Sequence, residues 1–158
     1  MTIWADSREK ERAIKQILKQ FDDAGVKWFV SKLPVGDYMN LDNPKVIIDR
    51  KQNLLELCNN VCQDHKRFSA ELERAKEYGI HLIVLVEHGH GIESLQDVLH
   101  WVNPRLKQSP MAVSGERLFK ILWAMQNNTE RYSVEFQFCD KRETGQRIIE
   151  LLGGNQNG

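Results

Sequence analysis

L-P-V-G-D-Y-M-N-L-D-N-P-K-V-I-I-D-R-K, residues Leu33 to Lys51, is the stretch on which the reading of the fold turns. Asp42-Asn43-Pro44 supplies turn residues between two extended segments, and a hairpin with this loop pairs Leu41 with Lys45. The antiparallel register then runs on to Met39 opposite Ile47 and Asp37 opposite Asp49. Strand side chains alternate faces, so Asp49 and Lys51 point one way and Arg50 the other. Residues directly opposed in such a pair have Cβ atoms about 4.5–5.5 Å apart, and like charges there repel. Two carboxylates so close need a proton or a divalent cation between them. With Lys51 beside them, the cation is the better fit.

Outward from this hairpin, strand and helix signals interleave. Thr2–Ala5 reads as a short buried strand with Asp6-Ser7-Arg8-Glu9 at its end. Apolar residues at Ala13, Ile14, Ile17, Leu18 and Phe21 give an amphipathic helix over Arg12–Ala24, stopped by Gly25. Lys27–Lys32 reads as a second strand, and Val46-Ile47-Ile48, apolar on both faces, as part of a central one. Helices are expected over Asn53–Cys62, Arg67–Tyr78, Ser94–Val102, Ser114–Gln126 and Glu143–Leu152. Ile80–Val86 is the strongest strand signal, and Ser133–Cys139 alternates as a strand near a sheet edge. Arg105–Val113, with Pro110 and little periodicity, reads as a mobile loop. The whole is an α/β domain with one mixed sheet between helix layers, occupying residues 1–153 and followed by a disordered tail over 154–158.

Composition narrows the classes. The chain has 158 residues, enough for one sizeable core, and 41% hydrophobic with 28% charged residues is ordinary for a soluble globular protein. Its apolar runs are strand-length, which excludes a membrane span, and its first residues do not form a secretory signal. Cys58, Cys62 and Cys139 make neither an even disulfide set nor a zinc spacing, which suits free thiols in a reducing cytoplasm. A formal net charge of zero gives no support for a general polyanion binder. Local basic clusters still serve a nuclease, because cations supply part of its positive charge.

A carboxylate followed by a second carboxylate, any residue and a lysine is a known arrangement for hydrolysing phosphodiesters. Oxygen ligands from Asp37 and Asp49 suit a hard cation such as Mg²⁺. Lys51, a compact charge, can position an attacking water or offset charge on phosphorus, and the Arg50 carbonyl is a further candidate ligand.

The longer pattern is more specific: D-S-R-E at Asp6–Glu9, G-D-Y at Gly36–Tyr38 and D-R-K at Asp49–Lys51, in that order. It resembles the XPF-type structure-specific endonuclease family, whose signature is D-[ST]-R-E, G-D-[YF] and E-R-K. The likeness extends through the strand at Ile80–Val86. It implies a restriction-endonuclease-like fold and Mg²⁺- or Mn²⁺-dependent cleavage of DNA near branches, flaps or forks, as in repair and recombination. It implies that Asp37 and Asp49 hold metal, that Lys51 serves catalysis, and that Asp6 and Glu9 line the cleft and help hold a second cation. Arg8 and Arg50 would contact phosphate or brace the site. Asp49 stands where the family usually has Glu, and Leu55 where it often has an acid, the nearest being Glu56. No pair of helix-hairpin-helix segments is evident, so the chain is similar to the short stand-alone versions of phages and prophages. The resemblance further implies a homodimer, with the helix at Ser114–Gln126 as one candidate surface, in the cytoplasm of a bacterium or phage-infected host.

Other residues divide between roles. Lys66 and Arg67 can touch phosphates or simply open a solvated helix; His88-Gly89-His90 reads as a loop without a partnering ligand; Trp101 and Trp123 read as core or interface. The competing functional class is a non-catalytic DNA-binding or dimerisation subunit, since the family includes members whose site has decayed. Decayed members lose their acids, whereas Asp6, Glu9, Asp37, Asp49 and Lys51 are all present here.

Overall fold

The expected alternation of elements is realised in a computed structural model that describes residues 1–9 and 11–154. Strand β1 (Thr2–Asp6) leads to helix α1 (Glu11–Asp23), whose exit at Gly25 uses a φ of +70°. Strands β2 (Lys27–Ser31), β3 (Tyr38–Asn40) and β4 (Asn43–Lys51) follow, then helices α2 (Leu54–Cys62) and α3 (His65–Glu77) and strand β5 (His81–Glu87). Helix α4 (Gly115–Asn127), strand β6 (Val134–Cys139) and helix α5 (Thr144–Ile149) complete the layers.

The six strands form one mixed sheet in the order β2-β1-β3-β4-β5-β6. β1 is parallel to β2 and antiparallel to β3, β3 is antiparallel to β4, and β4, β5 and β6 run parallel. Helices cover both faces, each over its own core. One core combines Leu33, Met39, Ile47, Val84 and Phe136 with Leu57 of α2, Leu72 of α3 and Leu118 of α4. The other combines Ile3, Tyr38, Ile48 and Leu85 with Ile14 and Phe21 of α1 and Ile148 of α5. Ile47 and Ile48 enter opposite cores, as expected of a central strand covered on both sides.

The hairpin register needs one correction. Met39 pairs with Ile47 as expected, but a bulge between Met39 and Asn40 sets Asn40 opposite Asn43, so Leu41 does not pair with Lys45. The bulge lies on the loop side of the Met39–Ile47 pair. On the other side Tyr38 pairs with Ile48, where the strand pairing ends, and the Asp37 N–H just beyond it donates to the Ile48 carbonyl across 2.8 Å.

Other boundaries moved for local reasons. The helix expected over Ser94–Val102 is a 3₁₀ segment, Leu95–His100, with Ser94 and Asp97 forming a capping box. α4 packs so closely on it that a Cβ at Gly115 would sit 2.3 Å from the Trp101 carbonyl oxygen. The segment read as a loop after Asn103 begins with another 3₁₀ turn, Pro104–Lys107, capped by the Asn103 side chain. The closing helix expected over Glu143–Leu152 is divided into a 3₁₀ turn at Lys141–Glu143, α5, and a wider turn over Glu150–Gly154. The tail over 155–158 lies outside the described residues. Leu118, Leu122 and Met125 of α4 belong to the core and Trp101 is buried, whereas Trp123 is exposed. Cys58 and Cys139 are buried and Cys62 half-buried, all as free thiols. Among the described residues no helix is long and apolar enough to cross a membrane.

Candidate active site

Motif residues converge where the C-terminal ends of β1 and β4 meet the N-terminal end of β3. The turn that delivers Asp37 depends on Gly36, whose φ of +69° and whose contact with the Ile47 side chain leave no room for a Cβ. Asp37 is then held from three sides. Its N–H reaches Ile48, its carbonyl accepts from the Asp6 N–H across 2.8 Å, and its Oδ2 accepts from the Arg50 N–H across 2.7 Å.

The Asp37 and Asp49 side chains line one cleft, near enough that the charge of Asp49 acts on the Asp37 carboxyl. Burial, then the negative charges of Asp49 and Glu9, push the Asp37 carboxyl far above the usual carboxylate range, against the downward pull of the Arg50 N–H. Lys51 follows on the same strand face as Asp49, with Nζ 3.3 Å from Oδ2 of Asp49 and lying over the Phe68 ring. Asp49 and the other nearby acids keep its ammonium charged although burial opposes this. Around them is an open cleft of about 520 Å³, lined also by Arg8, Glu9, Arg67, Glu71 and Arg74.

The remaining motif residues have found partners inside the protein. Oδ1 of Asp6 accepts from the Leu33 N–H across 2.8 Å and its Oδ2 from Nε of Arg8 across 2.8 Å, so its carboxylate brackets the loop before Gly36. Arg8 also donates to the Leu33 carbonyl, yet over half of its side chain remains open to solvent at the cleft. Arg50 points away from the acids, as the alternation requires. Its guanidinium is buried in ion pairs with Glu9, at 2.6 Å, and with Glu87. Thr144 Oγ1 donates to the other oxygen of Glu87 across 2.8 Å. Of the two basic residues opening α3, Arg67 lines the cleft and Lys66 is exposed beside it.

Sequence reasoning did not single out Glu71, Arg74 or Glu87. Glu71 and Arg74 share a helix face with Arg67 at spacings of four and seven, and that signal was available. Glu87 reaches Arg50 only because β4 and β5 pair in parallel with Arg50 beside Leu85, a register that the sequence does not display.

Among the described residues, no three His, Cys, Asp or Glu side chains are gathered into a ready-made metal cage. The donors that do come together, the Asp37 and Asp49 carboxylates lining one cleft, fit a cation that keeps most of its waters. Mg²⁺ is usually held so, through one or two carboxylates and the phosphates of its substrate. The raised Asp37 proton affinity points the same way, since a dication is the alternative to that proton.

Comparisons with known proteins bear on the family and the fold. No curated protein matches the chain. XPF from Aeropyrum pernix matches with a TM-score of 0.66 and 20% sequence identity, over 99% of this chain and 65% of that one. The same protein in complex with DNA matches with a TM-score of 0.67 and 19% identity, again over 99% and 65%. The present chain therefore spans about two thirds of that relative, and the two share the restriction-endonuclease-like fold. The ERCC4 domain model matches residues 5–149, a stretch that contains all three motifs, and the chain belongs to the ERCC4 domain family.

Proposed function

We propose that this protein is a Mg²⁺- or Mn²⁺-dependent DNA endonuclease, hydrolysing phosphodiester bonds at branched, flap or fork structures. The observation that carries the reading is the placing of the Asp37 and Asp49 carboxylates together on the wall of an open cleft, with Lys51 at 3.3 Å from Asp49. DNA as the substrate is supported by family membership and by the DNA complex of the Aeropyrum pernix relative.

Asp37 and Asp49 are the residues that would hold the cation. When bound, it would polarise a phosphoryl oxygen and acidify a water at neutral pH. Every other contribution comes from the chain itself. Lys51 carries a fixed positive charge on the same face, suited to orienting the attacking water or offsetting charge gathered on phosphorus. Arg8, Arg67 and Arg74 line the cleft and would neutralise and align neighbouring phosphates. Asp6 and Glu9 act one step back, by fixing Arg8 and Arg50. Arg50 in turn presents its N–H to Asp37 and fixes the orientation of that carboxylate.

Cleavage of supercoiled plasmid and of flap, fork and four-way DNA in Mg²⁺ or Mn²⁺ tests the proposal. Activity is expected in the unaltered protein and its loss, by at least about a hundredfold, in Asp37→Asn and in Lys51→Ala. Equal activity in either variant, both folded by melting temperature, would end the assignment.

A further inference from the structure

The zero net charge conceals an uneven surface. Arg12, Lys15 and Lys19 project from α1 at spacings of three and four, on the side opposite the buried Ile14, Ile17 and Phe21. All three are exposed, and among the described residues none takes part in an ion pair. They flank a shallow groove of about 870 Å³ along the helix, which ends at Asp22, whose carboxylate already accepts from the Trp28 indole N–H.

This groove connects with the active-site cleft. Arg12 and Gln16 also line a second depression of about 630 Å³, together with Gln52, Asn53 and the exposed Lys141. Arg50 and Gln52 are shared in turn between that depression and the cleft of Asp37 and Asp49. The one acid on its floor, Glu87, is paired with Arg50 and Thr144. A path therefore leaves the cleft, crosses the C-terminal edge of the sheet beside Gln52, and descends along α1 on the opposite face. Four exposed cations mark its length, and both of its acids are already engaged.

The geometry points to this path as a nucleic-acid track on which Arg12, Lys15, Lys19 and Lys141 hold the backbone of DNA that continues beyond the cleaved bond. The inference rests on the nuclease reading and deepens it. Arg12 and Lys19 are roughly 10 Å apart along the helix axis at 1.5 Å per residue. Measured along the DNA axis at 3.4 Å per step, that spans about three steps of one strand, or four successive phosphates. A rigid straight duplex lying in the cleft would pass over one face only. A route crossing the sheet edge instead suits DNA that turns at the site, so two arms of a branched substrate would lie on opposite faces.

Salt dependence of binding measures the track directly, because each neutralised phosphate adds about 0.9 to the slope of log K against log salt. Binding of a labelled three-way junction in EDTA, titrated with KCl, is compared between the unaltered protein, Lys15→Gln/Lys19→Gln, and Lys27→Gln/Lys45→Gln at the far end of the sheet. The first variant is expected to lose about two from the slope and to weaken binding tenfold or more, the second to change neither. Lys15→Arg/Lys19→Arg should restore the slope. Equal slopes in the α1 and far-end variants overturn the track while leaving cleavage, and with it the nuclease reading, in place. A protein that neither binds nor cuts the junction overturns both. Loss of affinity for a polyglutamate peptide with the junction slope unchanged would transfer the groove to an acidic protein partner and likewise overturn the assignment.

Discussion

The main-chain N–H of Arg50 donates to Oδ2 of Asp37 across 2.7 Å, while the Arg50 side chain is buried on the other face of the sheet between Glu9 and Glu87. One residue thus joins the acid pair of the front face to an ion-pair network of the back face. Site geometry and core stability are coupled through it. This coupling gives a physical reason for an arginine between Asp49 and Lys51 whose guanidinium is held by Glu9 and Glu87.

The strained protonation of Asp37 predicts how the metal-free protein responds to pH. Burial and the Asp49 charge raise its folded-state pKa to about 9 from an ordinary 3.8. Between those values the native state holds a proton that the unfolded chain releases. The contribution of this proton to stability is therefore greatest near pH 4 and falls as pH rises toward 9, by at most about 1.4 kcal/mol per pH unit. Melting temperature in EDTA across this window should decline in the unaltered protein and flatten in Asp37→Asn. Mg²⁺ should offset the decline at pH 8 in the former and have no effect in the latter. A flat profile for both proteins in EDTA would refute the close acid pair.

Gly36 is the second point of leverage. A Cβ there would lie 2.3 Å from Ile47 Cγ2 and 3.1 Å from the Ile48 carbonyl oxygen, at a φ of +69° that side chains disfavour. Gly36→Ala should cost about 3 kcal/mol by chemical denaturation, combining left-handed strain with overpacking. It should also reduce cleavage more than an equally destabilising core change such as Leu122→Ala, because the turn aims Asp37. Equal activity at matched stability would show that Gly36 serves packing alone.

How far such features were legible depended on whether they arise from period-2 alternation or from long-range pairing. The placing of Asp37 and Asp49 at one cleft, and the separation of Arg50 from Lys51, follow from alternation, and the bulge at Met39/Asn40 lies on the loop side of both. The bulge itself left no trace, since Asp42-Asn43-Pro44 reads equally as a three-residue loop. Glu87 at the end of an apolar strand looks like an ordinary solvated terminus until β4 and β5 are set in parallel. Leu95–His100 carries a helix's capping signal, but only the close approach of α4 at Gly115 accompanies its tightening into a 3₁₀ segment. Arg8, Asp6 and Glu9 were legible as a group through their motif, whereas their division into cleft-facing and bracing roles required the Leu33 backbone and the Arg50 side chain to be in place.

The Arg50–Glu87 pair makes a third prediction. Both side chains are about 95% buried, so removing Glu87 leaves the Arg50 guanidinium with Glu9 as its remaining ion-pair partner and Thr144 without that acceptor. Glu87→Ala should cost roughly 1–3 kcal/mol, less than an uncompensated buried charge would, because Glu9 still pairs with Arg50. Glu87→Gln retains the acceptor for Arg50 and Thr144 and should cost less. If Arg50 orients Asp37, Glu87→Ala should also weaken the Mg²⁺-induced rise in melting temperature, which a purely structural loss would leave intact. An unchanged metal response in a destabilised Glu87→Ala protein would confine the network to stability.

Tyr38, the last residue of the G-D-Y motif, separates a packing role from a chemical one. Its ring is fully buried, edge-on to Phe21 at 6.1 Å, and its buried hydroxyl has no hydrogen-bond partner among the described residues. Burial and the nearby acids push that hydroxyl above its ordinary pKa, so it stays protonated and takes no part in acid–base chemistry near neutrality. An unpaired buried hydroxyl carries a desolvation penalty of about 1–3 kcal/mol that phenylalanine avoids, while the ring contacts with Phe21 remain. Tyr38→Phe should therefore be as stable as the unaltered protein or more stable by about 1 kcal/mol, with full cleavage activity. Tyr38→Ala should instead lose about 3–5 kcal/mol. A Tyr38→Phe protein that is destabilised or inactive would mean that the hydroxyl has a partner in solution, and Glu9, whose charge already raises the Tyr38 pKa, is the group to test next.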